Sequence, residues 1–190
     1  MTSQTAVRNI KGVELPAPGV WKLDPGHAEI GFVGRHFMLT KVRGRFTGVD
    51  AMVTIGDDPE DSHVSVTIDM ASVHSGDQAR DDHLRSPDLF DVDAWPQATF
   101  ESIAISWDGQ TGTVTGDLTI KNTTRQLTLE VEYLGHALDP WGNDRVVFDA
   151  TGQINREDWG LTWNMVLESG GLLVSKEITL ELHVELVNQG

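Results

Sequence analysis

From Val20 onward, apolar and polar residues alternate along most of the chain, the period of two that belongs to half-buried β-strands. In the first such stretch Ala28, Ile30, Phe32 and Gly34 share one face, while Glu29, Gly31, Val33 and Arg35 share the other. The alternation is cleanest over residues 63–69, where Val64, Val66 and Ile68 oppose Ser65, Thr67 and Asp69. It resumes after Ala98, aligning Val114, Leu118 and Ile120, then Leu127, Leu129, Val131 and Tyr133, then Val146, Phe148, Ala150 and Ile154. A last run carries Ile178, Leu180, Leu182, Val184 and Leu186. Turn clusters at Gly56-Asp57-Asp58-Pro59, Asp108-Gly109-Gln110 and Lys121–Thr124 separate the runs. The reading is of about eight strands.

One segment breaks the pattern. Ser75-Gly76-Asp77 reads as a helix start, and residues 77–84 are rich in charge and poor in β-branched side chains. A short helix is expected there, between the third and fourth strands, closed by Ser86-Pro87-Asp88. Residues 1–19 are polar, with Pro16, Pro18 and Gly19 near the end, and read as a flexible tail ahead of a single domain over residues 20–188. Strands joined by short turns pair antiparallel, so the fold class is all-β. Eight such strands close into a barrel or stack as a sandwich, and a barrel of that size holds either packed side chains or one elongated ligand. Periodicity leaves these open.

Composition narrows the function. With 29 Asp and Glu against 14 Lys and Arg, the net charge of −15 argues against nucleic acid as a partner and against a basic membrane-docking face. The chain has no cysteine, which excludes a disulfide framework, a thiolate nucleophile and a cysteine zinc site. No apolar run is long enough to cross a membrane as a helix, and the N-terminus lacks the continuous apolar stretch of a signal peptide, so a cytoplasmic location is expected. Against this acidic background the stretch Gly31–Phe46 stands apart, with Arg35, Lys41, Arg43 and Arg45 following an apolar beginning. It reads either as two strands whose outer face is basic or as the mouth of a cavity with apolar walls and a cationic rim.

Catalytic patterns are lacking. The histidines at 27, 36, 63, 74, 83, 136 and 183 stand singly, without metal-ligand spacing. The densest polar cluster, Arg80-Asp81-Asp82-His83, reads first as a solvated helix face with capping or ion-pair duties. There is no G-x-S-x-G elbow and no glycine-rich phosphate loop. Most of the six tryptophans sit beside turns, where a half-buried indole caps a strand end, whereas Trp163 and Met165 lie among apolar residues and suit a cavity wall.

An ordered series of short motifs resembles the YceI family. It opens with Trp21-x-Leu23-Asp24-Pro25-x-His27, Ile30-Gly31-Phe32, Arg35-His36 and Val42-Arg43-Gly44-Arg45-Phe46. It continues through Asp69, Ser72-Val73, Arg80-Asp81-x-His83-Leu84, Asp88-Leu89-Phe90-Asp91, Trp95-Pro96, Phe100-Glu101-Ser102 and Gly116–Ile120. It closes with Ile154-Asn155-Arg156-x-x-Trp159-Gly160 and Val174-Ser175-x-Glu177-Ile178. Trp95 and Trp159 stand where Tyr and Phe are commoner, and Lys176 where an acid is usual. The resemblance implies a lipocalin-like, eight-stranded antiparallel barrel around a long apolar channel. It also implies a polyisoprenoid or other long-chain amphiphile, such as an isoprenoid quinone or fatty amide, as ligand, with no further cofactor. A homodimer is implied as well, since members are often dimers.

A channel of this kind holds its ligand by burial of apolar surface, about 25 cal/mol per Å². The expected walls are Phe32, Phe37, Met38, Phe90, Phe100, Leu118, Ile120, Phe148, Trp163 and Met165, with Arg35 and His36 at the head group. Two other readings stand beside the carrier. One is an enzyme of the same fold using His36 or His83 with a carboxylate buried at the mouth; the other is a ligand-free structural or stress-response protein with a filled interior.

Overall fold

The computed structural model describes residues 7–190, and the first six residues of the expected tail lie outside that range. Residues 7–16 are not loose: β1 (Val7–Ile10) and β2 (Val13–Pro16) pair as a hairpin. Its two-residue loop, Lys11-Gly12, has φ of 50° and 85°, the left-handed geometry that matches the twist of the flanking strands. Leu15 is buried in one cluster with Trp21, Leu23, Tyr133, Val146 and Leu186, and Ile10 and Val13 pack against it. Arg8 donates to the carbonyls of Gly56 and Asp57. Polar composition hid a small apolar face, and the barrel supplies the surface that orders it.

The remaining chain forms eight staves of a closed antiparallel barrel. Strands β3 (Gly19–Leu23) and β4 (Glu29–His36) make the first, broken by a 3₁₀ turn at Pro25–His27 that the Asp24 side chain caps at Gly26 N–H. Strands β5 (Thr40–Phe46) and β6 (Val49–Ile55) make the second. The third is β7 (His63–Asp69) followed, after a 3₁₀ turn at Met70–Ser72, by β8 (Val73–His74). Helix α1 (Gln78–Arg85) intervenes before five unbroken staves: β9 (Gln97–Asp108), β10 (Thr111–Ile120), β11 (Thr123–Leu138), β12 (Asp144–Asn155) and β13 (Glu177–Asn188). Each stave pairs with the next in sequence. Closure comes at β13, which pairs along one edge with β12 and along the other with β4 (Leu182 opposite Ile30) and β3 (Leu186 opposite Leu23). Closure leaves the barrel sheet without an open edge between its staves. The sandwich alternative is thereby excluded.

Helix α1 follows its expected cap. Asp77 accepts from Arg80 N–H at 2.9 Å, and Arg85 ties the helix to the wall through the carbonyls of Ala71 and Val73. Within the Arg80–His83 cluster, Asp81 is 3% exposed and accepts from the Ser75 N–H and hydroxyl. Burial pushes its pKa up, but those bonds and the nearby His74 and Arg85 hold it below the ordinary carboxyl value. The cluster is a structural corner.

Helix α1 and the 156–176 connection sit at one end of the barrel; the β1–β2 hairpin sits at the other. The hairpin end is clamped by Arg145 on β12, which bonds Asp24 at 2.6 Å, Glu185 at 2.6 Å and Asp139 at 2.8 Å, joining four segments of chain. The guanidinium, with help from His27, lowers the Asp24 carboxyl to about 2. Asp24, His27 and Glu185 lie close enough to resemble a cation site. Arg145 already bonds both carboxylates of that cluster and takes the place of a cation.

Candidate functional site

Inward positions of the staves do not meet at the barrel axis. They enclose a cavity of about 590 Å³, within the range of small-molecule sites. Its wall is built by the alternation seen in the sequence: Val64, Val66 and Ile68 from β7, Val114, Leu118 and Ile120 from β10, Leu127, Leu129 and Val131 from β11, and Leu180, Leu182 and Val184 from β13. Along β9 the lining runs from Ala98 to Trp107, about 30 Å of strand. Two aromatic walls depend on glycines across the sheet. The Phe32 ring lies over Gly44 and the Phe100 ring over Gly116, where an added Cβ would stand 2.3 and 2.4 Å from a ring carbon. Phe32 packs on Phe46, and Phe46 on Phe90, with ring centroids 5.6 and 5.9 Å apart.

Nine of the twelve expected site residues border this cavity: Phe32, Arg35, His36, Phe90, Phe100, Leu118, Ile120, Phe148 and Trp163. Phe37, Met38 and Met165 do not. Phe37 and Met38 occupy the turn between β4 and β5 with φ of 53° and 59°, and are about half exposed. A tight turn at the end of a stave cannot continue the inward alternation, so these side chains leave the barrel. Met165 is 54% exposed on the neighbouring 165–173 segment, which hydrogen-bonds back to Phe37 N–H through the Leu173 carbonyl at 2.9 Å. The three form an apolar rim outside the cavity. Lys41, Arg43 and Arg45 point outward from β5, and Arg43 pairs with Glu181.

Arg35 is exposed, its guanidinium donating to the Leu39 carbonyl at 3.3 Å, and His36 stacks on Phe37 with centroids 4.0 Å apart. At the same end the cavity is bordered by three polar residues outside the expected ligand-binding set: Arg80 and Arg156, which stand only in the family motifs and the helix cluster, and His83, a candidate of the enzyme reading. Arg80 is tied to Ser75 by bonds of 2.8 and 3.1 Å. His83 Nε2 lies 3.0 Å from Asp88, and its ring meets Trp163 edge-on at 4.3 Å. Asp88 is 55% exposed, so this pair is not the buried histidine–carboxylate couple of the enzyme reading.

Arg156 is 5% exposed. It begins the 3₁₀ turn Arg156–Trp159, capped by Asn155, and donates to the carbonyls of Ser175 (2.9 Å), Leu161 (2.6 Å) and Trp163 (2.8 Å). Burial lowers its pKa from the ordinary guanidinium value, opposed by the charge of Glu157. A signal for it existed: Val146, Phe148, Ala150, Gly152 and Ile154 are the inward series of β12, and 156 is the next position in phase. Trp159, in the same turn, is buried and donates its indole N–H to the Leu118 carbonyl at 2.9 Å.

This geometry can be set beside known proteins. The YceI-like domain matches residues 21–186. The chain belongs to the YceI-like family. A UPF0312 protein of Staphylococcus aureus strain N315 is 35% identical over 165 residues, covering 85% of this chain and 94% of its own length. A UPF0312 protein of Photorhabdus laumondii is 36% identical over 162 residues, covering 83% and 84%. Among solved structures, Burkholderia cenocepacia BcnA superposes with a TM-score of 0.75 at 26% identity, covering 86% of this chain and 98% of that one. A Campylobacter jejuni YceI protein gives 0.70 at 28%, covering 82% and 90%. A domain from Saccharophagus degradans, described as polyisoprenoid-binding, shares the fold at 0.64 and 16% identity, covering 88% and 98%. Among the described residues, no helix is long and apolar enough to cross a membrane.

Proposed function

We propose that this protein binds a long-chain apolar amphiphile inside the barrel and acts as its carrier. The observation that supports the reading is the hollow interior, about 590 Å³ enclosed by aliphatic and aromatic side chains from every stave. A solid-core structural role would need those side chains to interdigitate. An alkyl or prenyl chain that loses about 300 Å² of apolar surface gains on the order of 7 kcal/mol before the entropic costs of binding. That gain is available without any reactive group. The Saccharophagus domain, described as polyisoprenoid-binding, has the same barrel, which adds weight to a prenyl or similar chain as ligand.

Binding is favoured over catalysis by the chemistry of the wall, which is hydrocarbon along most of its length, and by the solvent access of the His83–Asp88 pair. The test is direct. Protein purified from its host is extracted with organic solvent and the extract analysed by mass spectrometry; the delipidated protein is then titrated with cis-parinaric acid and competed with geranylgeraniol. Saturable binding at one chain per barrel is expected. Failure to retain or bind any long-chain molecule would overturn the reading. Equilibrium sedimentation in the same series separates a monomer from the homodimer that the family resemblance implies.

A further inference from the structure

We propose that the cavity selects an amphiphile with an oxyanion head, a carboxylate or a phosphate, and that the buried Arg156 holds that head. The inference rests on the carrier reading and adds to it the chemistry and position of the polar end.

A guanidinium carries five N–H donors, one on Nε and two on each terminal nitrogen. In Arg156 the Nε donor goes to the Ser175 carbonyl and the two on Nη1 go to Leu161 and Trp163. Nη2 is buried and has no partner. Three carbonyls therefore fix the plane of the group and leave one nitrogen, with both its hydrogens, to an acceptor the protein does not supply. No carboxylate is paired with Arg156 among the described residues, and its sequence neighbour Glu157 is engaged by Lys176 at 3.0 Å. Buried charges are ordinarily paired, because dipoles alone compensate lost hydration only in part. This one is a charge without a counter-ion on the border of a ligand cavity.

The electrostatics of the whole wall point the same way. The chain has about two acids for every Lys or Arg, yet no Asp or Glu is among the described residues that border the cavity. Its charged or titratable neighbours are Arg8, Arg35, Arg80, Arg156, His36 and His83. All but Arg8 lie at the helix end. A negative head would meet Arg156 and Arg80 there and no lining carboxylate among the described residues, while its tail ran between Leu118, Leu129 and Leu182 toward Trp107 and the hairpin. A cationic amphiphile would be repelled along the same path, and an alcohol would leave the charge of Arg156 uncompensated.

The full-length delipidated protein is titrated with two matched pairs, palmitate against hexadecanol and geranylgeranyl phosphate against geranylgeraniol. Each pair keeps the tail and changes the head. The anion is expected to bind at least about tenfold tighter than its alcohol, the range of a charge-assisted bond, and the larger of the two anion-to-alcohol ratios separates a carboxylate from a phosphate source. In Arg156→Met the anion-to-alcohol ratio should fall to about one with alcohol binding retained, whereas Arg156→Lys should keep a reduced preference. If no chain binds, the carrier reading itself has failed. If chains bind without regard to head charge, or the preference persists in Arg156→Met, the head-group assignment is wrong and the carrier reading stands.

Because Arg156→Met also strips three carbonyls of their donors, its fold is checked by circular dichroism, and a second measurement needs no variant. Palmitate bearing a photoreactive diazirine at C2 is crosslinked to the wild-type protein, and the labelled peptides are mapped by mass spectrometry. Labelling within residues 154–163 and 80–83 is expected. Labelling of the hairpin around Arg8 would place the head at the other end and overturn the assignment.

Discussion

Gly44→Ala tests the architecture of the cavity through a single methyl group. The new Cβ would sit 2.3 Å from Phe32 Cζ and 2.8 Å from both Cε atoms, and its three nearest neighbours all belong to that ring. Ordinary carbon contacts lie near 3.5–4.0 Å, so the ring has to retreat by about 1–2 Å. It is the far end of a side chain and the cavity lies in front of it, so the ring can move inward without displacing β4. Overpacking of a dense core costs about 1–3 kcal/mol; the void puts this case toward the lower end, and the reduced backbone freedom of alanine in the unfolded chain returns about 0.5 kcal/mol. Net destabilisation of about 0.5–2 kcal/mol is expected by urea denaturation of the delipidated protein. Binding should weaken as well, because the displaced ring occupies ligand space. The decisive assay is a double-mutant cycle with Phe32→Leu, which removes the ring that the methyl meets. In the Phe32→Leu background Gly44→Ala should be neutral or stabilising. An additive cycle, or a single variant that leaves stability and affinity unchanged, would refute the packing argument.

Two further outcomes follow from the hairpin end. Arg145→Leu removes the shared partner of Asp24, Asp139 and Glu185 and should cost about 1–3 kcal/mol at neutral pH, between the values for exposed and buried pairs. Because the Asp24 carboxyl is lowered to about 2 in the folded protein, its contribution is present above about pH 4 and lost as pH falls toward 2; the gap between wild type and variant in denaturation midpoints should therefore narrow across that window. Leu15→Ala should cost about 2–4 kcal/mol in the same measurement, since Leu15 is 3% exposed; a loose tail would show no change.

The alternation of Val64, Val66 and Ile68, and of Val114, Leu118 and Ile120, was legible because the pleat of a strand repeats every two residues wherever the strand lies. The Asp77 cap was legible for the same reason, since its partner is Arg80 N–H, three residues away. The ordered motifs carried the family, and with it the barrel. Where inward series end was not legible: Phe37 and Met38 look apolar enough for a wall, but a turn geometry that local pattern does not announce carries them outside. The hairpin was missed because its apolar face is small and is ordered by Tyr133, Val146 and Leu186, residues distant in the chain. Arg156 stands in phase with the inward series of β12, yet its burial depends on Ser175, Leu161 and Trp163 folding over it from the 156–176 connection. Sequence by itself determined which residues of a strand share a face, because alternation is a local property of the backbone. Whether inward side chains meet or leave a void, and which charge is left without a partner beside it, only the closed barrel decided. Diameter and counter-ions are set by the whole circuit of staves and by no single strand.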